Sequence, residues 1–490
     1  MQRLDRLRAR GAPGPAGFLR LPLSLAALHR PPAAPAAPLA TGRAAAAARR
    51  KGVFALAWPS LVENVLLLAM GMISLMMVGR LGPAAMAGVG VANQVANLLI
   101  VVFSGLAVGN TALVARAVGA GRPYDARAAT RQALLLGLGL SMVLALAFLP
   151  TAPRLLHLLG AAPDVVADGT LYLRAIIVTI PLLALSLLAN GSLRGAGDTR
   201  TPMWVTGAEN VINVAVAYPL IFGLGPLPSI GLAGAASGLV AGRTLACVLS
   251  LAALRQRQGS PLAGTLSFSA GWRPDPLLLR RLVEVGGPAA GENASIQIGM
   301  MCFSLMVIHL GTAAFAAQQV VFNAASLSML PGLAFSVAAT TLVGQHLGAG
   351  DPEAARRSGW QSTAAAAGWM SLAGLGFLLF PEPVIRLYTS DLEVIAAGVA
   401  GMRVVGLGQP LQAAAFVLAG ALRGAGDTRT TLTVGAASMW GVRLTLAYLF
   451  GIALGWGIPG IWIGWCGDWS ARGLAFLWIF RRGRWQYRRV

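Results

Sequence analysis

Long apolar segments alternate with short polar turns along most of the chain. A helix needs about 20 apolar residues to cross the hydrocarbon core of a bilayer, and each segment approaches or exceeds that length. The pattern predicts an all-α polytopic membrane protein with twelve transmembrane helices in two sets of six. The predicted spans are 53–78, 86–114, 132–150, 166–189, 202–223 and 231–254 in the first set, and 284–308, 315–343, 360–380, 394–419, 431–452 and 459–480 in the second.

The composition excludes a soluble protein of this size. Of the 490 residues, 56% are hydrophobic and only 11% are charged, whereas about one quarter of the residues of a soluble protein are charged. So few charged residues cannot cover a water-facing surface. A soluble enzyme and a disordered chain are therefore both excluded, and the lipid bilayer is the first expected partner.

The positive charge indicates how the chain is oriented. Lysine and arginine total 38 against 17 acidic residues, for a formal net charge of +21. The arginines form short clusters in alternate loops instead of one patch, which favours contact with anionic lipid over nucleic-acid binding. The positive-inside rule then places both termini in the cytoplasm, as in a multi-pass protein of a bacterial inner membrane.

Composition and span positions divide the chain into five parts. Residues 1–50 are rich in Ala, Pro and Arg and are expected to form a disordered cytoplasmic tail. Residues 51–256 are the predicted N-terminal lobe, 257–281 a cytoplasmic linker, 282–482 the C-terminal lobe and 483–490 a basic cytoplasmic tail.

A duplicated motif relates the two sets of spans. The nine residues Leu193–Thr201 recur as Leu422–Thr430, 229 positions later. Because each set holds an even number of spans, both halves enter the membrane in the same direction and form a parallel internal repeat. Duplicated bundles of this kind are typical of transporters that rock one lobe against the other around a central site.

The chain resembles the multidrug and toxic compound extrusion (MATE) transporters over residues 50–480. The similarity lies in the repeated L-R-G-A-G-D-T-R motif and in the segments 78–82, 119–121, 172–174 and 340–345. The resemblance implies twelve helices in two lobes around a cleft. It also implies efflux of amphipathic, often cationic, compounds in exchange for Na+ or H+.

Three carboxylates within the predicted spans are candidates for ion coupling, namely those of Glu63, Glu209 and Glu292. An ionisable residue inside the membrane is costly and is therefore a functional candidate. Burial disfavours the charged form of a carboxylate, so such a group can bind a proton near neutral pH and release it when water enters. We expect these residues to couple transport to a cation.

Helical spacing brings further polar groups to the first two carboxylates. Glu63 shares a helix face with Ser74, and Glu209 shares one with Asn213. Together with Asn210 they would form one polar site in the N-terminal lobe. A Na+ ion could bind at Glu63 and Asn213, and no other metal or cofactor is expected.

The resemblance also points to a departure from the family pattern. Many MATE transporters carry an aspartate at the position of Ser74, an asparagine at that of Asn213, an aspartate or asparagine at that of Ala217 and a threonine at that of Leu239. Of that polar set only Asn213 is present here. Fewer oxygen ligands favour H+ over Na+ as the coupling ion.

Other residues have less specific roles in this interpretation. The side chains expected to line a substrate cavity are those of Asn64, Asn210, Asn293, Met70 and Met301. Arg194 with Asp198, and Arg423 with Asp427, are spaced four apart and are expected to form ion pairs that shape the loops. Asp468 and Arg472 have the same spacing on the last span and are also expected to pair.

The predicted function is cation-coupled efflux of amphipathic, cationic drugs or toxic compounds by alternating access. A flippase or exporter of a lipid-linked or other polar metabolite is the alternative. An ATP-driven pump is not expected, because the only lysine, Lys51, does not follow a phosphate-binding glycine run. An enzyme is not expected either, because the spans hold no His/Asp cluster or nucleophile arrangement. We expect a monomer that binds no nucleic acid.

Overall fold

A computed structural model describes residues 43–158, 163–223, 228–256, 260–267 and 272–488. Regular secondary structure within these ranges is entirely helical. The helices are α1 (Arg43–Gly79), α2 (Pro83–Gly119), α3 (Pro123–Phe148), α4 (Ala152–Leu158), α5 (Pro163–Gly195), α6 (Arg200–Phe222), α7 (Leu232–Gln256), α8 (Pro276–Ile308), α9 (Thr312–Gly348), α10 (Pro352–Leu379), α11 (Pro381–Arg386), α12 (Leu392–Gly424), α13 (Thr428–Ser438) and α14 (Ile458–Arg482).

The expected tail and linker are only partly described. Residues 1–42 of the tail lie outside the described residues, and residues 43–50 form the first turns of α1. Residues 257–259 and 268–271 of the linker also lie outside them, and its last residues belong to α8. Residues Ala48–Val490 make up one structural unit, to which the description below refers.

The predicted all-α architecture of twelve long helices is confirmed. Ten helices in the described ranges are long and apolar enough to cross a membrane, counting α13 with its continuation to Ala453 as one. The other two are α8 and α14, of 33 and 25 residues. They are long enough but less apolar, because they contain Glu292 and the pair Asp468 and Arg472.

Several helices begin well before the predicted span. Helix α3 begins at Pro123, α8 at Pro276 and α10 at Pro352, each 8 or 9 residues ahead of the apolar segment. Proline is favoured in the first helical turn, and the carboxylates of Asp275 and Asp351 accept backbone N–H bonds there. Hydropathy marks the part of a helix in the bilayer, whereas capping residues mark where the helix starts.

The sequence repeat extends to the turns between helices. The loops after α5 and α12 both reverse the chain through a glycine of positive φ, Gly197 at 90° and Gly426 at 78°. The short helices α4 and α11, absent from the prediction, also begin at repeat-related positions. The motif shared by residues 193–201 and 422–430 therefore encodes one loop structure twice.

The packing of α1 and α8 crosses between the lobes. Apolar side chains of α1 to α7 form one buried cluster, and those of α8 to α14 form two. Leu282 of α8 nevertheless belongs to the first cluster, while Val53 and Ala57 of α1 belong to a cluster of the second lobe. Part of the N-terminal half of each lobe's leading helix thus packs against the opposite lobe.

Candidate functional site

Four turns of the bundle lie at one end of the molecule, between α2 and α3, α5 and α6, α9 and α10, and α12 and α13. We call this end the arginine-rich face, because arginines flank all four turns. They include Arg116, Arg122, Arg194, Arg200, Arg356, Arg357, Arg423 and Arg429. The candidate site lies between this face and the middle of the helices.

A buried glutamate–arginine pair occurs once in each lobe, at repeat-related positions. Glu63 of α1 is 4% exposed and accepts a hydrogen bond from Nη2 of Arg194, at the end of α5. Glu292 of α8 is 3% exposed and accepts bonds from Nη2 of Arg423 at 2.7 Å and from Oγ1 of Thr431 at 2.8 Å. In this state both carboxylates are compensated by a guanidinium.

The predicted pairing of each loop arginine with the aspartate four residues later is wrong. The arginines point across to α1 and α8, while the aspartates bind the start of the next helix. Asp198 accepts bonds from the backbone and hydroxyl of Thr201, and Asp427 does the same with Thr430. Asp427 also pairs with Arg488, near the C-terminus. The aspartates sit at helix starts, where a carboxylate satisfies free backbone N–H groups.

Glu209 has a different environment, facing α7. Gly242 of α7 lies against the backbone and Cγ of Glu209 and against Cβ of Asn213, so these two residues do share a face as predicted. Arg243 interacts electrostatically with Glu209 and donates to Oγ1 of Thr179 at 2.7 Å. No ion pair within 4.0 Å involves Glu209 in the described part of the chain.

The N-terminal polar residues therefore form two groups rather than the single predicted site. Asn210, next to Glu209, turns to α1 and donates to the carbonyl of Leu66 at 2.8 Å. Among the described residues, no hydrogen bond or ion pair joins Glu63 to Glu209 or to Asn213. Adjacent residues on a helix point about 100° apart, so Asn210 and Glu209 contact different neighbours.

The residues expected to bind substrate lie in different environments. Asn293 donates to Oγ of Ser104 at 3.1 Å and so links α8 to α2. Asn64, Met70 and Ser74 are half-buried on α1, and Met301 is 59% exposed. In the described ranges no group of three or more His, Cys, Asp or Glu residues could hold a metal ion.

The lobes meet at the arginine-rich face through hydrogen bonds that the sequence did not suggest. Nη2 of Arg116 on α2 donates to the carbonyl of Ala425 at 2.9 Å, and Nε2 of Gln345 on α9 donates to that of Gly195 at 3.0 Å. Arg116 and Gln345 are repeat-related, yet they differ in type, so matching identical residues misses them. Oγ1 of Thr341 adds a bond to the carbonyl of Arg194 at 2.9 Å.

The pair predicted on the last span is confirmed and is part of a larger cluster. Nε of Arg472 donates to Oδ1 of Asp468 at 2.7 Å. Arg443, on the continuation of α13, pairs with the same carboxylate. The cluster lies in the interior of the second lobe, away from the inter-lobe hydrogen bonds.

Comparison with known proteins gives one consistent family. A family model described as MatE matches residues 59–219 and 288–449. A probable multidrug resistance protein NorM of Thermotoga maritima is 32% identical over 445 residues, covering 90% of this chain and 94% of that protein. Multidrug resistance protein PmpM of Pseudomonas aeruginosa is 28% identical over 421 residues, covering 85% and 87%.

Solved structures share the fold. An outward-facing multidrug resistance MATE family transporter of the MOP superfamily superposes with a TM-score of 0.82 at 21% identity, covering 89% of this chain and 96% of that chain. A MOP superfamily transporter from Pyrococcus furiosus gives the same TM-score at 22% identity, covering 90% and 97%. At this level of identity the likeness concerns the arrangement of the helices.

Proposed function

The chain belongs to the MATE family of membrane transporters, and on that premise we propose that it exports amphipathic, cationic organic compounds in exchange for H+ by alternating access. Several relatives are named as multidrug resistance proteins, which supports the proposed substrate class. The transporter would work in a bacterial inner membrane, as a monomer with both termini in the cytoplasm.

The observation that carries the coupling proposal is the difference among the three intramembrane glutamates. Glu63 and Glu292 are each held by an arginine. Glu209 is half-buried and has no ion pair within 4.0 Å among the described residues, although Arg243 is near. A carboxylate without a fixed counter-ion can gain and lose a proton as its access to water changes, so Glu209 is our main coupling residue.

The surroundings of Glu63 favour H+ over Na+. Arg194 is bonded to Oε1 of Glu63, so a sodium ion at this carboxylate would have to compete with a tethered cation. Hard cations bind through several oxygen ligands. Asn213, the other proposed ligand, packs against Gly242 on the α7 side. A proton needs only one carboxylate, and Glu209 supplies it.

The inter-lobe hydrogen bonds support alternating access. Arg116 and Gln345 join the two lobes at the arginine-rich face, which we assign to the cytoplasm. With this face closed, a bound compound could leave only toward the opposite side, as export requires. Reloading from the cytoplasm would need these bonds to break, and they lie next to the Glu63–Arg194 pair.

Proton flux in proteoliposomes tests the proposal. A pH gradient is imposed, and its collapse on addition of ethidium is recorded with and without Na+. We expect ethidium-dependent proton flux without Na+, and its loss in Glu209→Gln, because the amide cannot carry a proton. Glu353→Gln is the matched control, since that glutamate lies exposed at the start of α10 and pairs with Arg356 and Arg357.

The other outcomes identify what would replace the proposal. Ethidium-dependent proton flux that appears only when Na+ is present would contradict coupling by H+ alone. Normal flux in Glu209→Gln would contradict the role of that residue. The absence of any response to ethidium, with or without Na+, would favour the flippase alternative.

A further inference from the structure

We propose that the second lobe binds a small monovalent anion, of the size of a halide, at a buried cluster formed by Arg443, Arg472 and Asp468. We call this group the arginine cluster. It lies where α14 packs against the continuation of α13, and it does not involve the glutamates of the coupling proposal.

The arginine cluster has more positive than negative charge. Asp468 is fully buried, and Arg443 and Arg472 are 2% and 3% exposed. Both guanidinium groups bind the same carboxylate, Arg443 through Oδ2 and Arg472 through Oδ1. The three side chains together carry one net positive charge in the interior, where an uncompensated charge is strongly unfavourable.

No second carboxylate of the surrounding helices compensates that charge. The other acidic residues of the described parts of α8, α9, α12, α13 and α14 are Glu284, Glu292 and Glu393. Glu284 pairs with Arg280 and Glu292 with Arg423, while Glu393 is exposed at the start of α12. The counter-charge must therefore come from outside the described residues.

The cluster also has more hydrogen-bond donors than acceptors. Nη1 of Arg443 donates to the thioether sulfur of Met300 at 3.0 Å, which is a weak acceptor. Nε of Arg443 and Nη2 of Arg472 are buried and have no acceptor, and the same holds for the indole nitrogens of Trp465 and Trp469. Buried donors are nearly always paired in proteins, so four unpaired ones around the same residues indicate a missing acceptor.

Aromatic rings enclose the guanidinium groups. Cζ of Arg443 lies 4.1 Å from the ring centroid of Trp465 and 5.6 Å from that of Trp469. Cζ of Arg472 lies 5.1 Å from the centroid of Trp469. Ring faces stabilise the cations in part, whereas the indole N–H groups at the ring edges are suited to an anion.

Charge and burial define the class of ligand. One negative charge neutralises the cluster, whereas a dianion would leave it negative and a water molecule would leave it positive. The three charged residues are at most 3% exposed, so a drug-sized anion could not reach them without opening of the lobe. A halide meets both conditions and accepts several N–H donors at once.

The backbone explains how Arg443 reaches this position. Helix α13 continues as π-helical turns over Met439–Leu444, and Arg443 lies within them. Gly464 of α14 lies directly against the carbonyl of Arg443, so the two helices approach closely at this level. Such widened turns are frequent at functional sites.

The first lobe provides an internal comparison. Arg243 is the repeat equivalent of Arg472, but the positions equivalent to Asp468 and Arg443 are Leu239 and Val214. Arg243 therefore has one acidic neighbour, Glu209, and no second arginine competes for it. The arrangement of two arginines on one carboxylate, and with it the proposed anion site, is specific to the second lobe.

Bromide binding to the purified full-length protein tests the inference. The midpoint of thermal unfolding is measured while sodium bromide replaces sodium gluconate at constant ionic strength. We expect a saturable rise for the wild type. The rise should be lost in Arg472→Gln, in which Asp468 and Arg443 form a neutral pair, and kept in Arg243→Gln, the same change at the equivalent position of the first lobe.

Two further measurements do not depend on that variant being stable. Crystals grown in bromide should give an anomalous peak between Arg443, Arg472 and the indole of Trp469. Trp469→Phe, which removes one donor but no charge, should weaken bromide binding without abolishing it. An unsaturable rise, an equal rise in Arg472→Gln, or a peak elsewhere would overturn the proposal.

Discussion

At the scale of single residues, the energetic cost of placing an ionisable group inside the membrane identified the candidate carboxylates but not their partners. Glu63, Glu209 and Glu292 stood out because an ionisable group in a span is costly. Their surroundings could not be predicted, because Glu63 and Arg194 are 131 residues apart and meet only through helix packing. The spacing of four residues predicted that Arg194 and Arg423 pair with the nearby aspartates, but those aspartates cap the following helices instead.

The Glu292–Arg423 pair gives a prediction at this scale. Arg423→Met leaves a carboxylate that is 3% exposed with only Thr431 as a partner, and removal of one member of a buried pair costs about 3 kcal/mol or more. We expect a lower midpoint of thermal unfolding. The double variant Glu292→Gln, Arg423→Met should regain most of it, since no buried charge remains.

The double variant decides between two explanations of such a loss. Recovery would attribute it to the unpaired carboxylate. A double variant as unstable as Arg423→Met would show that Arg423 stabilises the loop by its own packing, and the prediction would fail.

At the scale of the helices, the long apolar segments predicted every long helix but none of the features that depend on contacts with neighbouring helices. Helices α4 and α11 have 7 and 6 residues, too few to leave a transmembrane signal. The π-helical turns after α13 were also missed, because the span over 431–452 is apolar in either geometry. The apolar composition of this segment determines that a helix forms. Its π-helical turns occur where the helix contacts α14.

Two glycines of α2 provide a matched test of helix packing. A Cβ atom on Gly109 would lie 2.8 Å from the backbone nitrogen of Gly286 on α8, whereas one on Gly90 would have nothing within 4 Å. Alanine favours a helix over glycine by up to about 1 kcal/mol at either position. We expect Gly90→Ala to leave stability unchanged or raise it, and Gly109→Ala to lower it and reduce transport.

Thermal unfolding and ethidium-dependent proton flux of the two variants check this expectation. Equal behaviour of Gly90→Ala and Gly109→Ala would mean that α2 and α8 can separate without cost, and that their close approach does not hold the lobes together.

At the scale of the whole molecule, the repeat predicted two equivalent lobes and their parallel relation. It did not predict that Val53 and Ala57 of α1 and Leu282 of α8 pack in the opposite lobe, because both lobes offer similar apolar surfaces. Nor did it indicate how the lobes hold together. Arg116 and Gln345 occupy equivalent positions and donate to main-chain carbonyls of the opposite lobe, those of Ala425 and Gly195. Their side chains differ in type, so only the structure shows that they have the same role.

These two side chains should set the balance between the states of the transporter. A hydrogen bond made in only one of two states stabilises that state by its net energy, about 1 kcal/mol for a neutral donor and more for arginine. Removing both bonds should shift the populations by roughly tenfold or more toward opening at the arginine-rich face. The double variant Arg116→Met, Gln345→Leu therefore should populate a state in which the lobes separate there.

Distances between spin labels measure this shift. The labels are attached to cysteines introduced in a variant without the native cysteines. A pair at Arg122, in the turn after α2, and Arg356, on α10, measures the distance between the lobes, and both positions are exposed. Labels at Arg122 and Arg200 lie within the first lobe and serve as the control. We expect the double variant to gain a longer distance for the first pair only. An unchanged distribution for that pair would mean that the side-chain bonds follow closure of the lobes rather than cause it. Helix packing, such as that of Gly119 on α2 against the backbone of Gln345 on α9, would then keep this face shut.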